Sequence, residues 1–293
     1  MRVKIISKVA ILFFILLLKT IFCREIKEEN KPEEWYKLDS LSQYGERFSE
    51  DFIDSICKAK NITFRYGLRQ FDNGCYAIGE KFVYSVSWGP ISAGYAILET
   101  IVEPNSQIAI ISGKGYTNSF FSSIYRVRDY IRAVVDRKGI YPFFFEQHLR
   151  EGKYKADRWE IFDQLNGIVF SHNNDTVPYK VPPFVQDYLS ILNYIRALTF
   201  KEGDSFSVNC FVHNRSHLLT FKCLEKKPIE VDAGIFNCLL IKPILVGEGR
   251  VFTKKDEIKI WLTNDCYKMP VMAKAKIAFG SITARLIWYE RDK

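Results

Sequence analysis

Tyr76 to Pro104 reads YAIGEKFVYSVSWGPISAGYAILETIVEP. Apolar and polar residues alternate through EKFVYSVS, the signature of a strand with one buried face. Trp88-Gly89-Pro90 then turns the chain, and ISAGYAILETIV runs back as a second strand. Gly94 falls inside that return strand, where a missing side chain marks a bulge or a close neighbour. The same rhythm continues in QIAIISGKGYT, YRVRDYIRAVVD, YPFFFEQHLREG, YKADRWEIFDQ and GIVFSHN. It resumes further on in SFSVNCFVHN, HLLTFKCLEKK, NCLLIKPIL, EIKIWLTND, MPVMAKAKIAFG and ITARLIWYE. Most connections have hairpin length, which favours antiparallel neighbours.

One segment breaks this rhythm. After Pro182-Pro183, FVQDYLSILNYIRALTF places Tyr188, Ile191, Leu192, Ile195 and Leu198 on one face, predicting an amphipathic helix of about four turns. The expected fold class is therefore mainly β: about ten to twelve antiparallel strands in a curved half-barrel or open barrel, with one long helix across it. A small helical extension precedes the sheet, because Phe48, Phe52, Ile53 and Ile56 recur at helical steps in ERFSEDFIDSICKAK.

Residues 1–23 carry the targeting information. Arg2, Lys4 and Lys8 precede the apolar run Val9 to Leu18, which suits a signal-peptide core and is short for a bilayer span. Cleavage is expected after Cys23; a retained anchor and lipidation at Cys23 are the alternatives. Loss of Arg2, Lys4, Lys8 and Lys19 takes Lys plus Arg from 42 to 38 against 34 acids, so the formal charge of +8 becomes +4. A balance so mild and interspersed argues against a nucleic-acid partner. Nothing after the leader reads as a membrane span. Residues 24–73 form a charged linker and the short helical extension, and residues 74–293 the β domain.

An aromatic share of 15%, with 23 Phe and 16 Tyr, suits strands better than a helical bundle. Seven cysteines become six if Cys23 leaves with the leader. In an oxidising compartment these could pair, with Cys57 and Cys75 as one candidate pair tying the extension to the domain. Cys210, Cys223, Cys238 and Cys266 fall in expected strands, and buried free thiols are the competing expectation.

The order of EKFVYSVSWGPISAGYAILE, YRVRDYIRAVVD, REGKY, DYLSILNYIRAL, VDAGIFNCLLIKPIL and KIWLTNDCYKMPVMAKAKIAFGSITARL resembles that of an uncharacterised exported bacterial family, domain of unknown function 3108. The resemblance spans roughly Tyr76 to Tyr289 and rests on order more than on any single piece. It implies no active site and no cofactor. It implies a fold like the half-barrel periplasmic lipoprotein carriers, an analogy that does not transfer function. Gly89, Gly94, Gly152, Asp187, Arg196 and Asp265 are its distinctive positions, and we assign them structural roles. Asp187 and Arg196 stand too far apart along one helix to pair and are expected to anchor its two ends.

Catalytic signatures are absent: there is no Gly-x-Ser-x-Gly, His-Glu-x-x-His or Cys-x-x-Cys. Gly113-Lys114-Gly115 is too short to cradle a phosphate. His213 and His217 flank a turn, so their four-residue step carries no helical geometry and no metal is expected. Carboxylates such as Asp129, Asp136, Asp163, Asp175 and Asp265 read as strand-end or turn acids; a hydrolase using Asp129, Asp163 or Asp265 is the least favoured function. The triplets beginning at Asn61, Asn174 and Asn214 match glycosylation sequons that carry no weight in a bacterium. The surplus of aromatics suggests an apolar concave face, with Trp88, Phe120, Phe144, Leu192 and Trp261 as ligand-binding candidates. The expected function is a non-catalytic protein of the periplasm or cell envelope that binds a lipid, another hydrophobic molecule or an envelope partner. A purely scaffolding role that uses the N-terminal extension for docking is the alternative.

Overall fold

The computed structural model describes residues 48–71, 79–172, 174–244, 257–276 and 280–292. The expected leader, the linker before Phe48 and Cys75 lie outside the described residues. Within them the chain forms α1 (Glu50–Lys60), β1 (Glu80–Trp88), β2 (Ile91–Ile101), β3 (Ile108–Thr117), α2 (Ser119–Ile124), β4 (Arg128–Asp136), β5 (Pro142–Glu151), β6 (Tyr154–Asp163), β7 (Ile168–Ser171) and β8 (Asn174–Lys180). There follow α3 (Ser190–Ala197), β9 (Ser205–Val212), β10 (Arg215–Val231), β11 (Gly234–Ile244), β12 (Glu257–Thr263), β13 (Pro270–Lys276) and β14 (Ser281–Arg291).

All fourteen strands form one sheet in the order β8-β7-β6-β5-β4-β3-β2-β1-β14-β13-β12-β11-β10-β9. Every neighbouring pair in it is antiparallel, and the first strand pairs with the last. Two meanders thus join at the β1–β14 seam. The count exceeds the expected ten to twelve. One strand missed by pattern is β8, NDTVPYK, whose polar residues and Pro178 suit an edge position.

No ladder joins the free edges β8 and β9, so the sheet is not closed, but side chains bridge the gap. Phe211 of β9 meets Tyr179 of β8 at 5.5 Å and Phe162 of β6 at 6.2 Å between ring centroids. Gln186, in the crossover between the edges, forms a parallel bridge with Cys210: its N–H donates to the Asn209 carbonyl (2.9 Å) and its carbonyl accepts from the Phe211 N–H (2.8 Å).

That bridge corrects the expected long helix. α3 has eight residues, about two turns. Pro182 and Pro183 bias their predecessors toward extended backbone, and residue 186 is held against β9. Helix can begin only once Asp187 caps it, its Oδ1 accepting from the Leu189 N–H (2.6 Å) and the Ser190 N–H (2.8 Å). Arg196, in the last turn, is fully buried and reaches the seam. Its Nη1 and Nη2 donate to Glu80 Oε1 (2.5 Å) and Oε2 (2.8 Å), its Nε to the Tyr267 carbonyl (3.1 Å), and Nη1 also to Asn193 Oδ1 (3.1 Å).

Strand parity gives each face its content. The inner face, shared with α3, carries Phe82, Tyr84, Leu98, Ile131, Phe145, Phe162, Phe221 and Leu286 in one large core. α1 lies on the outer face of the opposite meander. Phe48, Phe52, Ile53 and Ile56 pack there with Phe144, Trp159, Ile161 and Phe170. Ser49 caps the start of α1 and left-handed Asn61 ends it. The candidate Cys57–Cys75 pair is not made, and the competing expectation of a free thiol holds for Cys57, which α1 turns into this apolar contact. Cys210, Cys223 and Cys238 are also free and buried, whereas Cys266 is disulfide-bonded and sits in the bend after β12 rather than in a strand.

Gly94 explains one register shift. A Cβ there would lie 2.0 Å from the Tyr116 carbonyl oxygen on β3, beside the irregularity between Val86 and Ser87. No helix among the described residues is long and apolar enough to cross a membrane.

The Arg196–Glu80 pair yields a direct test. Glu80→Ala leaves Arg196 buried without its carboxylate, and Arg196→Ala leaves buried Glu80 only Arg291 Nε at 3.6 Å; each should lower unfolding free energy by about 3–5 kcal/mol. The double variant should lose less than the two single losses combined. Urea unfolding of the four proteins measures both effects.

Candidate functional site

The five aromatic and aliphatic candidates do not line one groove. Phe144 lies on the outer face beneath α1, opposite in parity to the next residue, Phe145. Phe145 is the inner one, 5.6 Å from the Tyr188 ring. Trp261 shares the strand face of Lys259 and Met272 yet is buried in the large core, with Lys227 Nζ 5.9 Å from its ring centroid. Phe120 is exposed on α2. Trp88 and Leu192 are partly buried against the inner core.

Gly89 and Gly152 take left-handed φ values of 57° and 58° in hairpin turns. Asp265 Oδ1 accepts from Thr263 Oγ1 (2.7 Å) and from the N–H groups of Tyr267 and Lys268 (3.0 Å each), shaping the β12–β13 connection. Asp163 and Asp136 likewise hold the turns that follow β6 and β4. Asp129 is buried, its Oδ1 accepting from the Arg150 N–H (2.9 Å); burial and the Glu151 charge hold its carboxyl well above the usual range. These acids are dispersed over the sheet and share no cleft.

A different set converges on the inner face beside the free edges. On β6, Arg158, Glu160 and Phe162 point inward by parity, and Glu160 stands opposite Phe145 on one side and Ser171 on the other. The crossover adds Gln186, Asp187 and Tyr188; the β9–β10 turn adds His213 and Asn214, the latter accepting from Ser171 Oγ (2.9 Å). Glu160, Gln186, Asp187 and Tyr188 are buried, while Arg158, His213 and Asn214 are partly exposed. The group is therefore open at one end and desolvated at the other.

The Tyr188 hydroxyl accepts from the His213 N–H (3.2 Å) and lies 3.1 Å from His213 Nδ1. A hydroxyl keeps its hydrogen and a second lone pair beside that engagement, so the Nδ1 contact fits either tautomer of the neutral ring and leaves Nε2 as donor or acceptor. That Nε2 is buried and meets no protein partner. The same holds for Glu160 Oε2, Asp187 Oδ2 and Gln186 Oε1. Native interiors leave few such atoms unmatched, and here four fall on residues of β6, the crossover and the β9–β10 turn.

Burial pushes the Glu160 carboxyl up to about 8, with the Asp187 charge adding to the rise and Arg158 opposing it. Burial raises Asp187 to about 6 against its cap hydrogen bonds. Burial lowers His213 to about 4, helped by the Arg158 charge. At neutral pH the cluster thus holds a protonated Glu160, an ionised Asp187 and a neutral imidazole. Burial also raises the Cys210 thiol far above its usual range, so it is not a ready nucleophile. Among the described residues no three His, Cys, Asp or Glu side chains are arranged to hold a metal ion. What the cluster can do is hydrogen-bond a desolvated polar group, offering acceptors from Asp187 and Gln186, a donor from Glu160, and His213 Nε2 as either.

Pattern reading missed this cluster, although one signal was present: Glu160 occupies an inward position of YKADRWEIFD just before Phe162. Asp187 was visible, but as a helix anchor.

The cluster makes stability depend on pH. Between 4.5 and about 8 the folded chain keeps a Glu160 proton that the unfolded chain has released, so this contribution falls as pH rises. His213 acts in the opposite direction, but only below 6.5, and the Asp187 contribution is largely lost once pH passes about 6. From pH 6.5 to 8 Glu160 dominates the three, and the protein should lose about 2 kcal/mol of stability. Glu160→Gln should flatten that limb in urea titrations across the range.

The family model described as "Protein of unknown function (DUF3108)" matches residues 83–287. No curated protein matches the chain. Among solved structures, the β-barrel-like protein of domain of unknown function DUF1849 from Brucella abortus is 8% identical, with TM-score 0.53, covering 74% of this chain and 99% of its own. That likeness concerns the fold alone. A DUF1089 family protein from Pseudomonas aeruginosa is 11% identical with TM-score 0.36, covering 66% of this chain and 93% of its own. With a family match running from β1 through β14, the chain belongs to the DUF3108 family of proteins of unknown function.

Proposed function

We propose that this is an exported, non-catalytic binding protein of the bacterial envelope, whose barrel-like interior takes an amphiphilic ligand. The ligand's polar end carries hydroxyl or amino donors and sits against Glu160, Asp187, Gln186 and His213. Its apolar part runs along the inner core. One observation carries this reading: four buried polar atoms without protein partners at the open side of the sheet. A purely apolar ligand would leave them unmatched, whereas a polar head group would satisfy them.

Export is supported by the basic head and apolar run of residues 1–23. The scaffolding alternative is weakened by α1, whose apolar residues already pack on the chain's own sheet.

Native mass spectrometry of the protein purified from its own compartment tests the proposal. A bound mass released on denaturation is expected, together with its loss in the double variant Glu160→Gln, Asp187→Asn, which keeps side-chain size and the helix cap. A clean apo mass for the wild type would overturn the reading.

A further inference from the structure

The outer face of the C-terminal meander carries a charge pattern that the interior site does not use. Lys222 of β10 stands directly opposite Lys242 of β11. The β11–β12 register, Ile241 opposite Ile260, places Lys259 next to Lys242. Lys259 in turn stands opposite Lys274 of β13. Four lysines therefore form one unbroken row across four strands, roughly 14 Å long at the usual strand spacing. Like charges placed directly opposite one another weaken a sheet. Glu257 offsets the middle of the row, its Oε1 lying 3.1 Å from both Lys242 Nζ and Lys259 Nζ. Lys222 and Lys274 at the two ends are exposed and make no ion pair among the described residues. Lys276, opposite Glu257, extends the basic surface by one further residue.

The other meander treats its outward charges differently. There Arg132 is paired with Glu146, and His148 bridges Glu146 and Asp157. Four like charges standing opposite one another from strand to strand set β10–β13 apart.

We propose that this lysine row is a docking surface for an anionic phospholipid membrane. Ammonium groups act as hydrated point charges without the bidentate geometry that arginine brings to a single phosphate, so an extended row of them suits a field of head groups. Trp261, two residues from Lys259 on the same strand face, is buried, so the row offers no stacking platform for single-stranded nucleic acid. The surface is distinct from the inner cluster and would present the protein to the membrane with that interior free.

Co-sedimentation of the full chain with vesicles tests this directly. The wild type should bind vesicles of mixed phosphatidylglycerol and phosphatidylcholine more tightly than phosphatidylcholine alone, and the difference should shrink as salt rises. Replacing Lys222, Lys242, Lys259 and Lys274 by Gln should weaken anionic-vesicle binding by about fivefold per lysine, with binding to neutral vesicles unchanged. Lys222→Glu with Lys274→Glu, which leaves the Glu257 pairs intact, should weaken it as strongly while thermal unfolding stays at or above the wild-type midpoint. Equal binding of wild type and both variants to anionic vesicles would overturn the proposal. So would lysine-dependent binding of soluble polyphosphate without any preference for anionic vesicles.

Discussion

The bidentate contact between Arg196 and Glu80 ties the architecture together. Glu80 opens the strand that pairs with the last strand, so it stands at the seam of the two meanders. Arg196 ends the short helix that crosses between the two free edges. Two charges withdrawn from water are tolerable only when each satisfies the other, and here the remaining guanidinium donors also find the Tyr267 carbonyl and Asn193. The crossover is thereby fixed against the middle of the sheet it connects, and the edges stay close enough for Phe211 to reach Tyr179 and Phe162.

That fixation also builds the inner cluster. Once the helix end is held at the seam, its start falls beside β9, where Gln186 pairs with the strand edge and Asp187 caps the first turn. Glu160 and His213 come from parts of the chain far apart in sequence and meet these residues only because the edges converge. Desolvation then does the chemical tuning, holding Glu160 protonated and His213 neutral. The same convergence leaves the edges without a shared ladder, which keeps one side of the interior within reach of solvent.

The two faces divide the remaining work. Inward residues of both meanders fuse into a single core, whereas the outward residues differ between them. One meander carries α1 and links Arg132, Glu146, His148 and Asp157 to one another; the other displays a lysine row that no neighbour neutralises at its ends. Sheet stability alone would favour alternating charge in such a row.

The sequence by itself determined the class of fold, because alternation along each strand and turn residues between strands are local properties. Tyr76 to Pro104 alone announced an antiparallel hairpin, and Gly94 its close neighbour. It also determined α1, whose apolar residues recur at helical steps. Tertiary structure alone decided the length of α3: its apolar periodicity extends beyond Ser190–Ala197, but capture of Gln186 by β9 takes the first part of that pattern. It alone decided which way each aromatic faced, since a run such as Phe143-Phe144-Phe145 has no polar partner to declare its parity. And it alone brought Glu160, Asp187 and His213 together, because that meeting is set by the approach of two sheet edges, a long-range packing event that no local pattern encodes.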